Sequence, residues 1–259
     1  MKYVASCSFG KDSLAMVLLL IEKRYPLDEV IFYDTEMEFD SIYHNRDRIK
    51  EILTEKCIKF TELHSKYSFL FDMFIRPVKY RNPENKPYPI HYGYEWCGSR
   101  VRWGTSGKLS AIKKHYRDTY GDVEIFEYVG IAADEPGRIR DDIHKLYPLV
   151  EWNMTEKDCL QYCYNSGFDW NEETTATESG YIDLYTVFDR VSCYMCANKN
   201  LKELKNMYIY FYDTYWQRLR GLQSRIDSPM KGTGKSVFQL EERFKKELNG
   251  ALKEELKED

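Results

Sequence analysis

The chain has 259 residues, 43% hydrophobic and 31% charged, with a formal net charge of −4. This is ordinary globular composition, long enough for one sizeable domain or one domain plus an appendage, and the charge excludes a uniformly basic nucleic-acid binder. The longest apolar run, Leu14–Ile21, falls well short of the about 20 residues a membrane span needs. With no secretory signal ahead of the first strand, the chain reads as cytoplasmic and without a membrane partner. Its seven cysteines are then thiols or ligands rather than disulfides. The 22 tyrosines could stack bases, but core and rim packing is their ordinary use.

In chain order, Tyr3–Ser6 predicts a strand, 12–24 a helix with Leu14, Val17, Leu18 and Ile21 on one face, and Glu29–Tyr33 a short buried strand. Residues 41–56 have helical spacing, and Lys59–Leu63 is a third strand. Strand and helix in alternation predict α/β architecture: a parallel twisted sheet covered by helices on both faces. Residues 64–105 hold four of the eight prolines and read mostly as loop. A helix is expected over 107–116, a strand over 124–131, and a helix over 155–166, where Thr155 and Asp158 make a near capping box. Residues 171–185 read as loop, and the chain from Leu201 as helical, broken near 228–234 and ending in a charged, solvated face. The expected division is a nucleotide-binding domain over 1–200 and a helical extension over 201–259.

The loop Ser6-Cys7-Ser8-Phe9-Gly10-Lys11-Asp12-Ser13 joins the first strand to the first helix. In an open α/β sheet, ligands bind at the carboxyl ends of strands. There the helix N-terminus offers unpaired N–H groups and a partial positive charge. Ser8 and Ser13 add hydroxyls, Lys11 a cation, and Gly10 close backbone approach. The combination describes an anion site, and phosphate is the obvious anion. The plainer alternative is a serine-capped helix with a solvated lysine. A second phosphate-like segment, Lys231-Gly232-Thr233-Gly234-Lys235-Ser236, lacks the glycine a Walker A loop requires, since Pro229 stands there; it reads as a plain loop.

Ser8–Ser13 resembles the SGGKDS pyrophosphate loop of the adenine-nucleotide alpha-hydrolase superfamily, with Phe9 in place of the first glycine. Three further segments resemble its phosphoadenosine phosphosulfate (PAPS) reductase-like branch. They are Phe32-Tyr33-Asp34-Thr35-Glu36, Gly130-Ile131-Ala132-Ala133-Asp134-Glu135-Pro136-Gly137-Arg138 with Ala132 where an arginine is usual, and Tyr147-Pro148-Leu149-Val150-Glu151-Trp152. The resemblance spans about residues 1–200. It implies that ATP or a related adenine nucleotide binds, with Mg²⁺, at Ser6, Ser8, Phe9, Gly10, Lys11, Asp12, Ser13, Asp34, Gly130, Asp134, Glu135 and Arg138. Lys11 and Asp12 would take the catalytic roles.

Cys193-Tyr194-Met195-Cys196 is a CxxC, a spacing that turns two sulfurs toward one metal. Cys97, in Glu95-Trp96-Cys97-Gly98-Ser99-Arg100, sits where PAPS reductase-like proteins carry functional cysteines. Three thiolates suit a [4Fe–4S] cluster with one open iron, or zinc with one further ligand. A redox dithiol or plain structural thiols are the alternatives. Cys159 and Cys163 share a helix face and read as core, as does Cys57; Cys7 is a candidate reactive thiol.

The implied activity is ATP-dependent adenylation of a substrate for sulfur transfer, with a sulfur donor as partner. Basic residues Lys202, Lys205, Arg218, Arg220 and Arg225 make nucleic acid a further candidate partner. One alternative is sulfonucleotide reduction, although no cysteine follows Cys196 to match the reductases' C-terminal nucleophile. The other is a nucleotide-binding module without catalysis.

Overall fold

A computed structural model describes residues 1–98 and 102–258. Ser99 and Arg100 of the Cys97 segment and the side chains of the C-terminal charge run lie outside the described residues. The chain forms two compact units, one of residues 1–66 and 105–172, the other of residues 67–104 and 173–259.

The first unit is built on β1 (Lys2–Ser6), α1 (Lys11–Glu22), β2 (Glu29–Tyr33), α2 (Asp40–Glu55) and β3 (Lys59–Leu63). α3 (Phe69–Phe74), β4 (Pro77–Lys79) and β5 (Ile90–Tyr92) follow in the second unit; β4 and β5 form a small antiparallel pair inside the segment expected to be loop. Next come α4 (Trp103–Tyr120), β6 (Ile125–Val129), β7 (Lys145–Leu146), α5 (Pro148–Glu151) and α6 (Glu156–Asn165). Two short strands, β8 (Asn171–Glu173) and β9 (Tyr181–Asp183), and α7 (Leu184–Val187) occupy the other expected loop. The second unit ends with α8 (Leu201–Tyr210), a π-helical turn over Tyr212–Trp216, α9 (Gln217–Gln223) and α10 (Val237–Glu258). Among the described residues, no helix is long and apolar enough to cross a membrane.

The main sheet runs β3-β2-β1-β6-β7, and every pairing is parallel. β1 is therefore central, and its register sets Ser6 opposite Ile31 on one side and Val129 on the other. The parallel arrangement brings the ends of β1, β2 and β6 to one edge, so the loop after Ser6, Asp34 and the segment 130–138 share it. The core follows from the sequence. Val4, Ala5, Val30, Ile31 and Phe32 are almost fully buried, as are Leu14, Val17 and Leu20 of α1, which is what a two-sided parallel sheet asks of its strands. The expected cap of α6 is present in full: Thr155 Oγ1 accepts from the Asp158 N–H, and the Asp158 carboxylate accepts from the Thr155 N–H.

At the opposite edge, Glu29 opens β2 and is wholly buried. Its carboxylate receives Lys59 Nζ at 2.8 Å, Tyr120 Oη at 2.6 Å and the Thr61 hydroxyl, with His115 Nε2 at 3.0 Å. Burial alone would raise its pKa; the donors Lys59, Thr61, Tyr120 and His115 outweigh it and hold the carboxyl below the ordinary range. A buried carboxylate with this many donors locks α4 and β3 to the strand, and removing it strands the donors. Glu29→Ala is expected to destabilise the fold by about 3 kcal/mol at pH 7. Because the folded pKa is depressed, that contribution is complete above the unfolded value of 4.5 and is lost as pH falls through the folded one. Denaturant titration at pH 7 and at lower pH should therefore show the gap between wild type and variant closing only in acid.

Candidate functional site: the loop after the first strand

The residue that shapes the loop is Phe9. Its φ is +57°, the left-handed region that costs a non-glycine residue about 1–2 kcal/mol. This accounts for glycine at that place in the SGGKDS pattern. Phe9 is held there by its side chain, which is fully buried with its ring 5.0 Å from Phe32 and 6.3 Å from Phe60. Its carbonyl accepts from Trp170 Nε1 at 2.8 Å. The turn delivers Gly10, in extended conformation, as the N-cap of α1, with no side chain capping the N–H groups. Those donors remain available to an anion.

Ser13 ties the loop to itself. Its Oγ accepts from the Ser8 N–H at 3.1 Å, donates to the Gly10 carbonyl at 3.1 Å, and lies 3.2 Å from Ser8 Oγ. Gly130, at the end of β6, presses against this turn: a β-carbon there would stand 2.8 Å from Ser13 Cα and 2.9 Å from Ser13 N. Its lack of a side chain is thus a packing requirement for bringing β6 up to the first turn of α1. Ser6 donates to Glu127 at 2.7 Å.

Lys11 is 6% exposed rather than solvated. Its ammonium lies 2.5 Å from Glu156 Oε2 and 3.5 Å from Asp12 Oδ2. Glu156 opens α6, and its N–H donates to Asp134 Oδ1 at 3.0 Å. Arg138 pairs with Glu135. Asp34 accepts from the Glu36 N–H at 2.7 Å and from Tyr43 Oη at 2.8 Å. It also belongs to a group with Glu62 and His64 whose potential ligand atoms lie within 4.8 Å of one another, the group of that kind among the described residues. Burial raises the Asp12 carboxyl, partly opposed by Lys11.

The thiols divide sharply. Burial pushes Cys7 up to about 11 and Cys159 up to about 12, and raises Cys163 as well. Cys7 is therefore a neutral core thiol, not the reactive one its place in the loop led us to expect. Cys159 and Cys163 are core, as their helical spacing predicts. Cys57 is exposed; it lies just past the end of α2 with φ +56°, so the position is a turn rather than the expected core site.

Cys97, Cys193 and Cys196 all fall in the second unit. The CxxC is a turn closed by the Cys196 N–H on the Cys193 carbonyl at 3.1 Å, and the following Ala197 N–H reaches the Cys97 carbonyl at 3.4 Å. Gly98 allows this approach, since a β-carbon there would stand 3.1 Å from Ala197 Cβ; one on Gly104 would stand 3.1 Å from the Cys97 sulfur. Cys196 is pulled down to about 6 by a hydrogen bond from Cys193, helped by the Asn198 N–H, the Lys199 charge and the Ser192 hydroxyl, against the effect of burial. Lys231, from the segment rejected as a Walker loop, donates to the Ala197 carbonyl at 2.7 Å. That segment is indeed a loop. Among the basic helical residues, Lys205 pairs with Glu247 and Arg220 with Glu241, while Arg218 covers Tyr194 and Tyr215.

The first unit is thus an α/β fold, a five-stranded parallel sheet with helices and with the loop after its central strand at one edge. Residues 2–73 match the phosphoadenosine phosphosulfate reductase domain. The adenosine 5'-phosphosulfate reductase of Staphylococcus haemolyticus is 25% identical over 174 residues, a match covering 65% of this chain and 63% of that relative. Among solved structures, the U34-tRNA thiolase NcsA from Methanococcus maripaludis, with its [4Fe–4S] cluster, aligns with a TM-score of 0.43 and 13% identity, over 96% of this chain and 72% of that one.

Sequence reasoning missed Glu156 and Trp170, which act on the loop from far along the chain. Glu156 was visible only as an acidic residue in a well-capped first turn, and Trp170 as a lone indole before a polar stretch. The support at Phe9 gives an inverted ranking. Phe9→Ala should destabilise by about 3–5 kcal/mol through lost packing. Phe9→Gly, although it removes one carbon more, should cost about 1 kcal/mol less because it relieves the left-handed backbone. Thermal and denaturant unfolding of both variants checks the order.

Proposed function

We propose that the chain binds ATP or a close adenine nucleotide with its polyphosphate on residues 8–13, and that it activates a substrate oxygen by adenylation for later sulfur transfer. The observation that carries this reading is the loop itself, at the end of the central strand, where the uncapped α1 N-terminus and the Ser8 and Ser13 hydroxyls converge. In the proposed step the substrate oxygen attacks the α-phosphorus, the bond to the bridging oxygen breaks, and pyrophosphate leaves. The N–H groups and hydroxyls stabilise the charge that develops on it, and Asp34 at the adjoining strand end would accept from a ribose hydroxyl. Mg²⁺ fits the residues present: Asp12 Oδ1 is buried with no hydrogen-bond partner, which leaves a carboxylate lone pair for a cation. When bound, Mg²⁺ would neutralise phosphate charge.

Lys11→Ala is expected to weaken nucleotide triphosphate binding at least tenfold, about 1.4 kcal/mol. Calorimetry showing unchanged affinity would count against the site.

Cys97, Cys193 and Cys196 are the residues that would hold a [4Fe–4S] cluster, with zinc as the alternative metal. The donor set supports this, being all thiol and including one acidic sulfur. The cluster would supply an iron able to take sulfur from a donor. Single alanine substitutions at the three cysteines should each lower metal content after anaerobic purification, measured by iron and zinc analysis and the visible spectrum, while Cys57→Ala should not. Retention of full metal by all three variants would return Cys193 and Cys196 to a dithiol role.

Sulfonucleotide reduction is the second reading. The low pKa of Cys196 and the similarity to an adenosine 5'-phosphosulfate reductase favour it. Sulfite release from adenosine 5'-phosphosulfate in the presence of a dithiol would establish it over adenylation.

A further inference from the structure

Beside the phosphate loop, one ammonium is shared by two carboxylates. Lys11 Nζ contacts Glu156 Oε2 at 2.5 Å and Asp12 Oδ2 at 3.5 Å, and its side chain is 8% exposed. This trio carries a net single negative charge. Its neighbours do not reverse the sign. Arg138 acts on Asp12 but is paired with Glu135, and the Lys108 charge that reaches Cys7 of the loop is offset by Asp134, whose carboxylate stands at the N-terminus of α6. The sequence offered Lys11 as the loop's positive charge, yet the fold surrounds that charge with acid. A bare polyphosphate entering the loop meets hydrogen-bond donors and a helix N-terminus on one side and this net negative group on the other. A polyphosphate already carrying a divalent cation meets the same donors, while its cation is attracted by the acidic group.

We propose that Glu156 is a specificity-determining residue of this site: by over-neutralising Lys11, it makes the loop select metal-complexed polyphosphate over the bare anion. The inference rests on the nucleotide reading above and deepens it. Glu156 acts here through charge, which separates it from a residue that merely holds Lys11 in place. If it only positioned the lysine, losing it would weaken both forms of the ligand, as losing Lys11 does. If it sets the charge, losing it strengthens binding of the bare form. Like charges this near one another at a protein surface repel strongly enough for a tenfold change in affinity to be read.

The test is calorimetric binding of inorganic pyrophosphate, once with excess EDTA and once with excess Mg²⁺, to four proteins of confirmed fold by circular dichroism. Wild type should prefer the Mg²⁺ complex. Glu156→Gln, nearly the same shape, makes the trio neutral. It should bind bare pyrophosphate about tenfold tighter, with a smaller change for the complex, so the preference shrinks. Lys11→Met leaves two carboxylates and should widen the preference. The double variant Lys11→Met/Glu156→Gln restores a net single negative charge and should return the preference toward that of wild type, even though both side chains are gone. Equal weakening of both forms in Glu156→Gln, or a double variant that resembles neither the wild-type preference nor a value between the singles, overturns the charge role and leaves the nucleotide site standing. Absence of any binding by wild type, to pyrophosphate or ATP in either condition, overturns the site reading and this inference with it.

Discussion

A single backbone torsion governs the candidate site. Phe9 sits at φ +57°, a conformation its side chain opposes locally and repays globally. The ring goes into the sheet core beside Phe32, and the carbonyl goes to Trp170. From that turn follow the extended Gly10, the start of α1 at Lys11, the direction of the unpaired N–H groups, and the place of Ser13 over Ser8. A glycine would reach the same torsion without strain but would give the loop no anchor. Here rigidity comes from burial rather than from a permissive backbone.

Most of the first unit was legible because local pattern and tertiary role agree in it. The five residues Glu29–Tyr33 read as a buried strand and are one, and the Thr155–Asp158 box caps α6 as expected. The parts that were not legible depend on partners far apart in sequence. Nothing near Glu29 says that Lys59, Thr61, His115 and Tyr120 will converge on it, and nothing near Lys11 announces Glu156. Spacing rules report on faces of one element, whereas charge networks are decided by which elements meet. The short hairpin of β4 and β5 escaped for a different reason. Its strands are three residues each, and proline-rich surroundings hide any alternation.

The thiols make the same point in chemical terms. Seven cysteines look alike in a sequence, but their surroundings separate them by several orders of magnitude in acidity. Cys7 stands at about 11 and Cys196 at about 6. Burial among apolar side chains keeps the first neutral. Hydrogen bonds and a nearby ammonium make the second a thiolate at neutral pH. Gly98 and Gly104 matter beside the cysteines, since a β-carbon at either would crowd Ala197 or the Cys97 sulfur.

The first unit is discontinuous: residues 1–66 are joined by 105–172 only after an excursion through the other unit. Beyond the packing of Phe9 on Phe32 and Phe60, three supports of the loop come from the later stretch: Gly130 against the α1 turn, Glu156 on Lys11 and Trp170 on Phe9. During synthesis the loop residues emerge first and wait for partners more than a hundred positions behind them. A chain halted before residue 170 holds the whole sequence motif without the side chain that pins its strained turn. Closure of such distant contacts is slow relative to local helix formation. The nascent chain therefore carries its motif long before the contacts that hold the turn exist.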